Sequence, residues 1–134
     1  MPAGEQIAGR MPRTRYDLED RLIGFAVQIC MLTERFPSNP VARHVSVQIT
    51  RSGTSPFANY GEAQAAESRQ DFVHKLKLCL KELRETQAWL KFAERMNFCP
   101  VETLVVREEC NELVSILVVS VRTARGKDKM SNAQ

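Results

Sequence analysis

Residues 68–96 read SRQDFVHKLKLCLKELRETQAWLKFAERM and form the most regular segment of the chain. Its mostly apolar inner positions recur at alternating steps of four and three, the period of one face of an α-helix: Phe72, Leu76, Cys79, Leu83, Thr86, Leu90 and Ala93. Ser68 precedes Asp71 by three residues, as in a helix-capping box. A second apolar edge of Leu80, Trp89, Phe92 and Met96 widens the stripe, so we expect this helix to contact more than one neighbour.

Two segments before this helix are also predicted to be helical. Residues 17–35 repeat apolar side chains with the same rhythm, and Pro37 and Pro40 follow their end. Residues 41–65 contain Gly53 and Pro56. Because a proline inside a helix costs about 3 kcal/mol, we expect this second helix to be broken or kinked near Pro56, with Ser55 capping the restart.

The last helical segment, residues 101–123, is apolar around most of its circumference. A chain of this size has no larger core to enclose such a helix, so the pattern predicts self-association through it. Val114 and Val118 are the candidate interface residues. The many β-branched residues would also suit a strand, but Glu108, Glu109 and Glu112 at helical spacing favour a helix.

Four helices joined by short loops predict an all-α protein, an antiparallel up-down-up-down four-helix bundle. We expect the bundle to cover residues 16–123. Residues 1–15 are predicted to be a flexible basic N-terminal arm, and residues 124–134 a flexible basic C-terminal tail. The composition agrees with one ordinary soluble domain, because 43% of the 134 residues are hydrophobic and 26% are charged.

The formal net charge of +3 comes from the two ends of the chain. Residues 1–15 have three Arg and one Glu, a net charge of +2, and residues 122–134 have four cations and one Asp, a net charge of +3. The remaining residues therefore sum to −2. Basic ends of this kind either keep a protein soluble or hold polyanions weakly and in a salt-sensitive way.

No catalytic or metal-binding motif is present in the sequence. The four cysteines form no CxxC pair, and neither His44 nor His74 belongs to a Glu-x-x-His motif. There is no nucleophile elbow and no glycine-rich phosphate loop. We therefore predict a non-enzyme without cofactor or metal. The longest strongly apolar run, nine residues from Leu113 to Val121, is too short to span a membrane, and we expect a cytoplasmic protein with free thiols.

Three motifs resemble a known family. The string QITRSGTSPFANYGE at residues 48–62, SRQDF at residues 68–72 and KELRETQAWL at residues 81–90 are similar to the four-helix bundle proteins encoded in intervening sequences of bacterial 23S ribosomal RNA genes. The resemblance implies a homopentamer of unassigned function. A structurally similar group, the accessory variability proteins of diversity-generating retroelements, implies a basic pentamer that binds nucleic acid and a reverse transcriptase. Pro56, Tyr60 and Ala63 depart from the family pattern.

The motif residues of the second helix form one polar stripe at steps of four and three. Its members are Gln48, Ser52, Ser55, Asn59 and Glu62. With Arg51, this stripe is either a binding face for a phosphate, a nucleotide or a peptide, or a structural hydrogen-bond ladder. On the structural interpretation, Arg51 pairs with a carboxylate, and Asn59 and Glu62 bond to the loop before Ser68. The sequence leaves both interpretations open.

The nucleic-acid hypothesis depends on cations in the third helix, where basic residues exceed acidic ones by three, and in the C-terminal tail. The candidate binding residues are Lys77, Arg84, Arg122, Arg125, Lys127 and Lys129. Trp89 and the phenylalanines are expected in the core, which argues against base stacking. The sequence thus predicts an oligomeric accessory protein with weak, non-specific binding of RNA, DNA or a nucleic-acid enzyme such as a reverse transcriptase. The alternative is a protein-interaction scaffold without nucleic acid.

Overall fold

A computed structural model describes the backbone of residues 15–133 and the side chains of residues 18–126. This part of the chain forms four helices and no strand: α1 (Arg15–Thr33), α2 (Pro40–Gln64), α3 (Arg69–Arg95) and α4 (Pro100–Ala133). The predicted all-α class and the number of helices are therefore confirmed. Residues 1–14 of the predicted N-terminal arm lie outside the described residues.

The core lies between the four helices. Each helix contacts the next along the chain, and α1 also contacts α4. Leucine, isoleucine and phenylalanine side chains from all four helices are fully buried there, among them Phe25, Ile49, Leu83 and Leu113. Between α1 and α4, Arg21 forms two hydrogen bonds of 2.8 Å to Glu109 and also contacts Glu112. The bond to Glu109 is the main reason why the pKa of Arg21 is raised above its ordinary value.

Side-chain caps start α2 and α3. The Asn39 side chain accepts a hydrogen bond of 2.8 Å from the backbone N–H of Ala42, and Pro40 occupies the first turn, where its missing N–H is tolerated. The Ser68 hydroxyl accepts a hydrogen bond of 3.0 Å from the backbone N–H of Asp71. The predicted start of α3 at Ser68 is therefore confirmed.

Helix α2 continues through Pro56, so the predicted restart at this residue is wrong. Ser55 does not cap a new helix, because its hydroxyl donates to the carbonyl of Arg51 at 2.7 Å. Pro56 is buried, and the contacts of α2 with α1 and α3 outweigh the loss of one backbone hydrogen bond. Gly53 is also buried; a Cβ atom there would lie 2.7 Å from Ile29 Cγ1. Gly53 therefore allows a close approach of α1 and α2. The kink at Pro56 stays a prediction.

The C-terminal helix is longer than the sequence pattern predicts. Helix α4 ends at Ala133, whereas the apolar period indicates an end near residue 123. Ala124 is only 4% exposed, so the packed face of the helix continues past that point. No proline follows, and an isolated glycine such as Gly126 costs a helix only about 1 kcal/mol relative to alanine. The predicted boundary at residue 123 is therefore too early.

Two loops contact each other at one end of the protein. The rings of Phe36 and Phe98 lie with centroids 5.5 Å apart, and the Cys99 thiol donates to the carbonyl of Arg35 at 2.8 Å. Asn97 and Cys99 both have positive φ angles, 60° and 46°. Asparagine tolerates this backbone region, whereas cysteine seldom adopts it. We call residues 34–39 and 96–99 the paired loops.

Candidate nucleic-acid interface

Five exposed cations follow the outward face of α3. They lie at steps of four, three, seven and four residues, which places them on one side of the helix. We call this set, Lys77, Lys81, Arg84, Lys91 and Arg95, the basic ridge. None of the five forms an ion pair with a carboxylate whose side chain the structure describes. The five cations of this face are therefore exposed and free of direct ion pairs with the described side chains.

The glutamates of α3 point away from the ridge and toward the neighbouring helices. Glu82 and Glu85 both contact Arg51 of α2, the former at 3.4 Å. Glu94 binds Arg107 of α4 through both carboxylate oxygens, and this hydrogen bonding raises the pKa of Arg107. The glutamate charge of α3 is thus paired with arginines of the neighbouring helices. Sequence counting, which gives an excess of only three cations, underestimates the charge that α3 presents outward.

The sequence-predicted binding residues fall into three groups. Lys77 and Arg84 belong to the basic ridge. Arg122 and Arg125 are exposed on α4. Lys127 and Lys129 lie in the helical backbone of α4, but their side chains are outside the described residues. Lys81, Lys91 and Arg95 were counted among the cations of the third helix but were not named as binding residues, although their spacing from Lys77 places them on the same face.

The polar stripe of α2 faces α3. Arg51 contacts Glu82 and Glu85 and also donates to Gln48 Oε1 at 3.3 Å. An Arg51–carboxylate pair is the arrangement that the structural interpretation predicts.

The other members of the polar stripe have different partners. Ser52 is fully buried and accepts a hydrogen bond of 2.7 Å from Thr86. Glu62 forms an ion pair of 3.3 Å with Lys75. Lys75 belongs to α3, whereas the structural interpretation predicted a partner in the loop before Ser68. Asn59 is half-buried. The stripe therefore lies along the α2–α3 contact.

An aromatic cluster lies beside the ridge on the side toward α2. Trp89 is half-buried, and its indole N–H donates to Glu85 at 3.3 Å. Its ring meets His44 edge-on at 5.8 Å and Phe92 edge-on at 6.1 Å. Phe92 is 41% exposed, so the expectation that the phenylalanines lie in the core is wrong for this residue. The spacing of apolar residues in α3 already placed Phe92 at the edge of the buried face of that helix. Whether a residue at this edge is covered depends on the neighbouring helices, which the spacing does not show.

Val114, one of the two candidate interface residues of α4, is 8% exposed and belongs to the core of the single chain. Val118 is half-buried and packs against that core. The exposed valines of α4 are instead Val101, Val105 and Val119. The sequence pattern shows that α4 is apolar nearly all round but does not show which side its own chain covers.

Reactive groups are few in the described part of the chain. Within residues 18–126, no three His, Cys, Asp or Glu side chains are grouped so that they could hold a metal ion. Burial raises the pKa of the Cys79 and Cys110 thiols to about 12, which keeps both protonated near neutral pH. In the same part of the chain, no helix combines the length and apolar character needed to cross a membrane.

Comparisons with known proteins agree with the motifs in α2 and α3. The family described as 23S rRNA-intervening sequence protein matches residues 16–120. A crystal structure of a protein of unknown function from the S23 ribosomal protein family of Bacteroides thetaiotaomicron is similar at 33% identity. The match covers 78% of this chain and 97% of that one, with a TM-score of 0.71. No curated protein matches the chain. The chain belongs to the 23S rRNA-intervening sequence protein family.

Proposed function

We propose that this protein is a non-enzymatic, homo-oligomeric accessory protein of the cytoplasm that binds RNA or DNA weakly and without sequence specificity. The observation that carries the proposal is the basic ridge, whose five cations have no carboxylate partner among the described side chains. Phosphate contacts need only accessible cations, and they carry no sequence information. The ridge meets that requirement along most of α3.

The size of the ridge suits a polyanion better than a small ligand. Lys77 and Arg95 are 18 residues apart, which corresponds to about 27 Å along a helix. If all five cations contact phosphates of a single strand, the logarithm of affinity falls with the logarithm of salt with a slope of about −3.5. Binding should therefore be strong only at low salt.

An antiparallel up-down-up-down bundle would extend this surface. Arg107 pairs with Glu94, and Asn111 lies 2.5 Å from Gln87, so partner numbers fall on α3 as they rise on α4. This order supports the antiparallel arrangement of the two helices. On that arrangement, Arg122 and Arg125 lie toward the start of α3 and continue the basic surface of the ridge.

Self-association is the second part of the proposal, and exposed apolar side chains support it. Ile23, Val27 and Met31 recur every four residues on the outward face of α1, and we call them the apolar stripe. A contiguous exposed apolar face is unusual for a monomer and is typical of an interaction site. Family resemblance favours a homopentamer over a dimer or tetramer. Several ridges in one assembly would raise the avidity for a long polyanion.

A salt series with mixed-sequence RNA tests the nucleic-acid part. The variant Arg84→Glu should bind more weakly than the parent and with a shallower slope. Arg43→Glu makes the same kind of charge change at an exposed position of α2 and serves as the matched control. An equal loss of RNA affinity in both variants would mean that the ridge acts only through the net charge of the protein and is not a specific phosphate site.

The alternative function, a protein-interaction scaffold, is favoured by the same apolar stripe if the stripe accepts a protein other than a second copy. Absence of any retention on RNA or DNA at low salt would leave the scaffold as the better proposal.

A further inference from the structure

We infer that the nucleic acid bound by the basic ridge is single-stranded and that one of its bases stacks on Phe92. The inference rests on the proposed function and adds the substrate class. It comes from the aromatic cluster of His44, Trp89 and Phe92, which no helix of the described chain covers completely.

Phe92 belongs to the same outward surface as the ridge. It lies four residues after Ala88 and three before Arg95, so both are its neighbours on the helix. Ala88 is exposed and occupies the one gap in the ridge, between Arg84 and Lys91. A small side chain at this gap leaves the Phe92 ring accessible, with cations on both sides of it. Phosphates can therefore contact the ridge while the intervening base contacts the ring.

The neighbours of Phe92 hold its ring in place before any ligand arrives. Trp89 meets the ring edge-on, and the indole is held by its hydrogen bond to Glu85. Glu85 in turn contacts Arg51, which neutralises the carboxylate next to the aromatic rings. Such a preorganised ring loses little conformational entropy on stacking.

The geometry favours a single strand over a duplex. Bases of a duplex are stacked and paired inside the helix, so their faces are closed to an exposed ring unless the strand opens. A single strand exposes its bases, and every base has a face that can stack on an aromatic ring whatever the sequence. The site should accordingly tolerate any sequence, as the proposed function requires.

The test uses the full-length protein and three labelled ligands of equal length: a mixed-sequence single-stranded RNA, its blunt duplex, and an abasic strand. We expect the single strand to bind at least about fivefold more tightly than the abasic strand, the typical effect of one stacked base. Trp89 is the only tryptophan of the chain, so its emission reports on the cluster directly. The base-containing strand should quench it at saturation, and the abasic strand should not.

Substitutions separate stacking from charge. Phe92→Ala should weaken single-strand binding about fivefold or more and leave abasic binding unchanged, while Phe92→Tyr should restore it. Val47→Ala removes an exposed apolar side chain of α2 and is the matched control. Light scattering on every variant checks that the oligomer is intact.

The outcomes distinguish this inference from the proposed function. Equal affinities for the single strand and the abasic strand, with Phe92→Ala unchanged, overturn the stacking site but leave the ridge as a phosphate site. A Phe92→Ala protein of lower mass also overturns it, because Phe92 then belongs to a subunit contact. No binding of any ligand at low salt overturns both.

Discussion

The outward face of α1 carries Ile23, Val27 and Met31 at intervals of four residues, whereas the outward face of α3 carries the basic ridge. The helices are otherwise alike in how they use charge toward their neighbours. Arg21 of α1 pairs with glutamates of α4, just as glutamates of α3 pair with arginines of α2 and α4.

The residues that stabilise the fold of a single chain can be distinguished from those that remain available for binding partners. Charges that face a neighbouring helix are paired with each other, so the fold of a single chain explains why they are there. The apolar stripe is exposed, and the basic ridge forms no ion pair with any side chain that the structure describes. Neither surface contributes to the fold of a single chain, because both face solvent in it. We therefore expect α1 to serve contacts between copies of the chain and α3 to serve contacts with a polyanion.

The largest effect is expected from a charge in the apolar stripe. Val27→Glu should dissociate the assembly, because an ionised carboxylate buried without a partner costs several kcal/mol. Val27 is 52% exposed, so the single chain should still fold. Light scattering should show a mass falling to the 15.2 kDa of one chain.

Val47→Glu is the control, since Val47 is 63% exposed on α2, outside the stripe. An unchanged mass for Val27→Glu, or a parent that is already monomeric, would remove the functional distinction between α1 and α3. A charge at Val114, by contrast, should unfold the chain, because that side chain is buried in its own core.

A second set of substitutions tests whether the basic surface extends from α3 to the end of α4. We expect replacement of Arg122, Arg125, Lys127 and Lys129 by Gln to weaken RNA binding and to make the salt slope shallower by up to about 2.8, since each lost single-strand contact changes it by about 0.7. Substitution is preferable to truncation at residue 122, which would also remove the buried Ala124. An unchanged slope would confine the phosphate contacts to α3.

Stability should distinguish a paired cation from an unpaired one. Arg107→Ala removes the partner of Glu94 in a pair whose side chains are 24% and 21% exposed, and we expect a loss of about 1 kcal/mol. Arg84→Ala, on the ridge, should change the free energy of unfolding by less than about 0.5 kcal/mol. Urea unfolding of both variants measures the difference. Equal losses would mean that the ridge also stabilises the fold.

The smallest effect concerns thiols on inner and outer faces. Cys30 is exposed on α1 and should react with a thiol reagent at pH 8, faster in Val27→Glu than in the assembled parent if α1 is covered by a second copy. Cys79 and Cys110 should stay unreactive, because burial raises their pKa to about 12.

The same two thiols predict a pH dependence of stability. Their pKa is higher in the folded chain than the ordinary value of 9.0, so folding favours the protonated form. This contribution is complete below about pH 9 and is lost as the pH rises toward 12. The free energy of unfolding, measured by circular dichroism, should decline as the pH rises over that range. The double variant Cys79→Val/Cys110→Val should show a smaller decline. A decline of the same size in the double variant would contradict the assignment.

The helices were predictable where local signals and packing agree. In α3, Ser68 provides a cap and the apolar period fixes the buried face, so its start and its core residues follow from sequence. In α2, local signals at Gly53 and Pro56 indicate a break, yet both residues are buried and the helix continues. The helix continues because α2 packs against α1 and α3 at these residues, and a local sequence pattern carries no information about such contacts.

The candidate interface was predictable only in part for the same reason. The spacing of Lys77 and Arg84 is visible in the sequence, but the pairing of Glu82 and Glu85 with Arg51 depends on a residue more than thirty positions away. Without that pairing, α3 reads as a helix of mixed charge. The exposure of Phe92 likewise depends on how far the start of α2, near His44, extends over the surface of α3.

The paired loops have a consequence for the order of folding. The bond from the Cys99 thiol to the Arg35 carbonyl joins residues 64 positions apart, and the Phe36–Phe98 contact is almost as distant in sequence. Contacts this far apart form slowly because the chain between them must first lose its freedom. Helices α2 and α3, which are consecutive and lie inside that long loop, can pack against each other early. Closure of the paired loops should then be a late step, in which α1 and α4 dock on a nucleus that already contains the basic ridge.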